Sequence, residues 1–69
     1  MPTLKTIQAE AANVGARVDF DWGQSRYVVN LEDGSNGAFG QLEQAYAAII
    51  VGSCDLGEVN SILAIAATL

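Results

Sequence analysis

The stretch from Arg17 to Leu31, RVDFDWGQSRYVVNL, constrains the fold of this chain more than any other. Val18, Phe20 and Trp22 alternate with Arg17, Asp19 and Asp21, and Tyr27, Val29 and Leu31 alternate with Arg26, Val28 and Asn30. Successive side chains of a strand point to opposite faces, so this period of two predicts a pair of half-buried strands. The Gly23-Gln24 step between them predicts a two-residue type II′ turn with Gly23 at positive φ. Such a turn pairs Trp22 with Ser25, Phe20 with Tyr27 and Val18 with Val29. One face of the hairpin then carries Val18, Phe20, Trp22, Tyr27, Val29 and Leu31. The other carries Arg17, Asp19, Asp21, Arg26, Val28 and Asn30, with Asp21 opposite Arg26 as a favourable cross-strand pair. A one-residue slip would set Phe20 and Trp22 against polar partners, so the alternation itself specifies the register.

An apolar sheet face needs a cover, and the flanking segments have the periodicity to supply one. Thr3 to Val14 predicts a helix with Leu4, Ile7, Ala11 and Val14 on one side, Thr3 as N-cap and Gly15 just past the end. Gln41 to Val51 predicts a second, with Leu42, Ala45, Tyr46 and Ile49 on one side and Gly52 as its stop. Asp55 followed by Glu58 predicts the start of a third helix, running to Thr68, with Leu56, Val59, Ile62, Leu63 and Ala66 as its stripe. Asp33-Gly34 predicts a type I′ turn and Ser35 to Phe39 a short third strand; Gly37 weakens a strand, which leaves an irregular loop as the alternative. The fold class expected is therefore α+β: one α-β-β-(β)-α-α domain over residues 1–69, a two- or three-stranded antiparallel sheet with helices packed on one face.

Sixty-nine residues leave a chain of this kind with a small stability margin, because only about 60% of its unfolded surface is buried on folding. A single Cys excludes an internal disulfide, and the absence of His removes the usual structural zinc sets, so oligomerisation is the remaining common support. With 51% hydrophobic and only 16% charged residues the composition agrees, and a homodimer or a docked partner is expected. Ile50 widens the apolar face of the second helix, Ile65 and Leu69 fall outside the stripe of the third, and these three are the candidate oligomer interface.

The net charge of −5 disfavours direct nucleic-acid binding, which needs Lys and Arg to neutralise phosphates. It suits a partner with a basic surface. MPTLKTIQAE carries no basic segment followed by an apolar run, so a cytoplasmic location is expected. Glu43, Gly52, Asp55 and Glu58 interrupt the apolar C-terminal third, and no membrane span is expected.

No constellation in the sequence predicts catalysis. Without His, Cys54 has no imidazole base, and a structural thiol is expected. Carboxylates on an open sheet face lack the burial that would separate acid and base roles. The run Gly34 to Gly40 lacks the Gly-Lys-Ser/Thr ending of a phosphate-binding loop and the glycine and glutamate positions of an EF-hand. No cofactor and no metal are expected. Asp19, Asp21, Glu32 and Asp33, with Phe39 as an exposed neighbour, are the candidate partner-binding residues. The expected function is a small acidic protein–protein interaction module, of the kind phages encode to inhibit host defence or nucleic-acid-binding proteins by occluding a basic surface. The alternatives are a module enclosing a small ligand at a homodimer interface, or a structural subunit of a larger assembly.

Overall fold

A computed structural model describes residues 3–68 and shows α1 (Leu4–Asn13), β1 (Arg17–Asp21), β2 (Arg26–Asn30), β3 (Asn36–Phe39), α2 (Leu42–Val51) and α3 (Leu56–Ala67). The sheet is antiparallel in the order β1-β2-β3. α1 lies on β1, α2 covers β2 and β3, and α3 packs on α2. The layout is the α+β arrangement that the alternation and helical stripes predict, with the third strand present.

Val18 stands opposite Val29, Phe20 opposite Tyr27 and Asp21 opposite Arg26, the register that the alternation demands. The turn that connects them is different. Gly23 does not take positive φ; Ser25 does, at 55°. Asp21 Oδ1 accepts the N–H groups of Gly23 at 2.9 Å and Gln24 at 3.3 Å, so a carboxylate rather than a glycine directs the reversal. Trp22 to Ser25 form a four-residue loop. Lengthening a two-residue loop symmetrically moves no pair, which is why the register survives.

The second turn also departs from expectation, with a larger consequence. Only Gly34, at φ 91°, is left-handed there, whereas a type I′ turn needs Asp33 to be so as well. Gly34 N–H donates to Leu31 O at 3.1 Å, and Leu31 N–H to Ser35 O at 2.8 Å, closing a three-residue loop on a left-handed glycine. The extra loop residue shifts β3 by one position. A two-residue loop would pair Phe39 with Val28 on the open face; the observed loop pairs it with Tyr27 on the covered one. Phe39 is 2% exposed, so its expected role as an exposed contact residue is corrected: it is a core residue.

Gly37 has a structural reason to be a glycine. It faces Val29 across the ladder, and a Cβ added there would lie 3.0 Å from Cys54 Cβ and 3.3 Å from Cys54 O. The connection between α2 and α3 crosses the sheet at this point, and a side chain would hold it off.

The core gathers Ile7 and Ala11 from α1, Val18, Val29 and Phe39 from the sheet, Ala45, Ala48 and Ile49 from α2 and Val59 from α3. Alanines at the helix contacts let the α-helical backbones approach the sheet closely. Helix ends are set locally. Thr3 Oγ1 accepts from Thr6 N–H, Gly52 ends α2 at φ 76°, and Asp55 Oδ1 accepts the N–H groups of Gly57 and Glu58 at 2.9 and 3.2 Å. Among the described residues no single helix is long and apolar enough to cross a membrane.

Candidate functional site

The face of the sheet turned away from the helices presents Arg17, Asp19 and Asp21 along β1, Arg26, Val28 and Asn30 along β2, and Asn36 and Ala38 along β3. Asp19 and Asp21 share this side, about 7 Å apart as alternate strand residues are. Glu32 and Asp33 do not join them. They occupy the turn at the opposite end of the sheet, beyond the full length of β2, roughly 13 Å of strand. The acidic patch expected from sequence is thus two separate groups, and Phe39 belongs to neither.

The hairpin tip contributes something the alternation alone did not reveal. Phe20 packs edge-to-face on Trp22, with ring centroids 4.6 Å apart, and on Tyr27, at 4.9 Å. Tyr27 in turn faces buried Phe39. This aromatic row runs from the core outward, and its last ring, Trp22, is 85% exposed. Trp22 lies past the last strand pair, in the loop that Asp21 closes, and the helices do not reach it. The signal in the sequence is the Asp-x-Gly spacing of Asp21 and Gly23, which marks a carboxylate-directed turn and so puts Trp22 outside the ladder.

A second exposed surface lies on the helical side. Ile50 is 65% exposed and Ile65 is 61% exposed, and Leu56 joins them at 53%. Leu69, the third expected interface residue, is outside the described residues. Ala66 follows Val59 by two helical turns and so points nearly the same way, yet Val59 is buried and Ala66 exposed. The C-terminal half of α3 therefore overhangs α2.

Two further groups are inside or near the core. Cys54 is half-buried; burial, then the charge of Asp33, pushes its thiol up, away from the reactive thiolate form. Glu10, on α1, has a buried Oε2 without a hydrogen-bond partner, and its carboxylate beside the Tyr46 hydroxyl of α2 raises the tyrosine above its ordinary value of about 10. A raised folded value favours the protonated phenol, so this contribution to stability is complete below pH 10 and is lost as pH climbs through the folded value. In a Tyr27→Phe variant, tyrosinate absorbance is expected to develop later than in the unfolded chain. A titration that coincides with that of the unfolded chain would contradict the Glu10–Tyr46 contact.

Among the described residues no three carboxylate or thiol side chains converge as metal ligands. No family model, no curated protein and no solved structure shows significant similarity to this chain.

Proposed function

We propose that this chain is a small acidic protein–protein interaction module that works by binding rather than catalysis, in the cytoplasm, against a basic surface on another protein. The observation that carries the reading is the hairpin tip, where Trp22 stands 85% exposed on an ordered aromatic row. Tryptophan buries a large area at low entropic cost and dominates binding energies where it is found in interfaces. Asp19 and Asp21 lie on the same hairpin, and the chain carries a net charge of −5. The indole packs on Phe20, on the helix side of the hairpin, while the two carboxylates share the open face with Arg17 and Arg26; the apolar anchor and the negative charge of the whole chain together favour a basic protein surface with a pocket for an indole. The sharper form is an inhibitor of the phage type that occludes a nucleic-acid-binding surface, supported by size and acidity.

The test is recovery of a partner from cell extract on immobilised protein at low and high salt, compared across variants. Trp22→Ala is expected to weaken recovery of that partner by roughly thirtyfold, about 2 kcal/mol, with thermal stability little changed because the side chain is 85% exposed. Asp19→Lys is expected to weaken it further and to reduce its salt dependence, Asp21 being left in place because its carboxylate closes the turn that presents Trp22. Equal recovery by all three proteins would reject the hairpin tip as the contact surface.

A second reading is favoured by one observation, the overhang of α3. Apolar residues exposed along a helix that outruns its support favour self-association through α2 and α3, with Ile50 and Ile65 in the contact.

A further inference from the structure

The end of the sheet away from the hairpin tip holds a hollow of about 440 Å³, within the range of small-ligand sites. Ala16, Leu31 and Ile49 make its floor, with exposed Val14, Glu32 and Asp33 around it and Gly52 at one side. We infer that this hollow binds a small amphiphilic cation, an ammonium or guanidinium group carried on a short hydrocarbon body.

α1 finishes at Val14 and α2 at Gly52, so two helix C-termini, each the negative end of its backbone dipole, border the same cavity. A helix end of this kind is ordinarily complemented by Lys or Arg in its last turn, and neither α1 nor α2 has a basic residue there. The groups added to the site are carboxylates instead. Glu32 is folded against the end of α1: a Cβ placed on Gly15 would lie 3.1 Å from both Glu32 Cδ and Oε2. Asp33 Oδ1 accepts Ser35 N–H at 2.9 Å, and that bond holds its carboxyl below the ordinary carboxylate range, so it is charged at neutral pH.

The chain has three basic residues, and none lines the hollow. Lys5 is in the first turn of α1, at the wrong end of the helix; Arg17 is on the open face of β1; Arg26 is at the hairpin tip. Four negative sources therefore border an apolar floor, and among the described residues no basic side chain lines it. An anion is repelled, and a bare metal ion finds no ligand on the floor. A neutral apolar molecule leaves the rim unsatisfied. A cation with a hydrocarbon body satisfies both parts. The site is independent of the hairpin tip, so either proposal can fail while the other stands.

The experiment is a titration of the full-length isotopically labelled chain, followed by amide chemical shifts, with hexylammonium, hexanol and hexanoate in turn at constant ionic strength. Hexylammonium is expected to give saturable shifts at Val14, Leu31, Ile49 and Gly52, with millimolar affinity; hexanol should bind roughly tenfold more weakly and hexanoate not at all. Glu32→Gln with Asp33→Asn, which keeps the side-chain oxygen that accepts from Ser35, is expected to remove the preference for hexylammonium over hexanol. Equal binding of hexanol, binding of hexanoate, a preference that persists in the double variant, or no saturable shift up to about 50 mM would each overturn the inference. The three-ligand comparison on the unaltered chain decides the matter even if the double variant fails to fold.

Discussion

Phe39→Ala is expected to remove a large part of the stability of this domain. Phe39 is 2% exposed and is the largest of the fully buried side chains, and truncating a buried phenylalanine costs about 3–5 kcal/mol. A 69-residue domain has roughly 3–10 kcal/mol to lose. Phe39 supports Tyr27 across the β2–β3 ladder, and Tyr27 supports Phe20, so its loss also removes the base of the aromatic row that ends in Trp22. Urea unfolding followed by far-ultraviolet circular dichroism measures the effect. Phe39→Leu, which keeps much of the volume, should lose appreciably less. If Phe39→Ala instead cost under about 1 kcal/mol, the side chain would be on the open face, as a two-residue Asp33-Gly34 turn would put it.

That contrast locates what the sequence made legible. Alternation in Arg17–Asp21 and Arg26–Asn30 was enough for the pairing, because both strands have one apolar and one polar face and a slip would exchange them. β3 has no such safeguard. Asn36, Gly37 and Ala38 are small or polar, so only Phe39 distinguishes the two faces, and the register is left to the turn. Asp33-Gly34 is compatible with both a two-residue and a three-residue loop. The choice between them rests on burying Phe39, a tertiary effect that no local pattern contains. The helices were legible for the opposite reason: their caps, Thr3, Gly52 and Asp55, act within a turn of the residues that identify them.

Of the candidate site residues, Asp19, Glu32 and Asp33 are exposed and Asp21 half-buried, and the grouping of the four was not legible. Adjacency in sequence joined Glu32 and Asp33, and alternation joined Asp19 and Asp21, but the antiparallel return of β2 carries the two pairs to opposite ends of the sheet. Each pair consequently keeps different company. Asp19 and Asp21 share a hairpin with an exposed indole, whereas Glu32 and Asp33 border an apolar hollow between two helix ends. The same side-chain chemistry thus supports a protein contact in one place and a small cation in the other, and the neighbouring surface makes the difference.

Val59→Asp is expected to detach α3 while Ile65→Asp leaves it docked. α3 packs principally on α2, and Val59 is its one fully buried side chain, with Leu63 packed partly against the core. A carboxylate at Val59 has no partner in that apolar contact; the lost burial and the desolvated charge together cost roughly 3–5 kcal/mol. The Gln44 Nε2 to Asn60 Oδ1 hydrogen bond, at 3.0 Å and exposed, contributes too little to hold the helix on its own. Amide exchange should therefore accelerate along Leu56–Ala67 far more than in β2, whose protection comes from the sheet and α1–α2 cover. Ile65 is 61% exposed, so Ile65→Asp should change exchange and thermal stability little in the monomer. Light scattering over a concentration series then separates the roles of the two positions. A dimer that Ile65→Asp dissociates without altering monomer exchange assigns the overhanging half of α3 to self-association. A chain that is monomeric before and after the substitution rejects self-association. If Val59→Asp left exchange in α3 unchanged, the helix would draw its stability from elsewhere than its contact with α2, and its C-terminal end would not be an unsupported overhang.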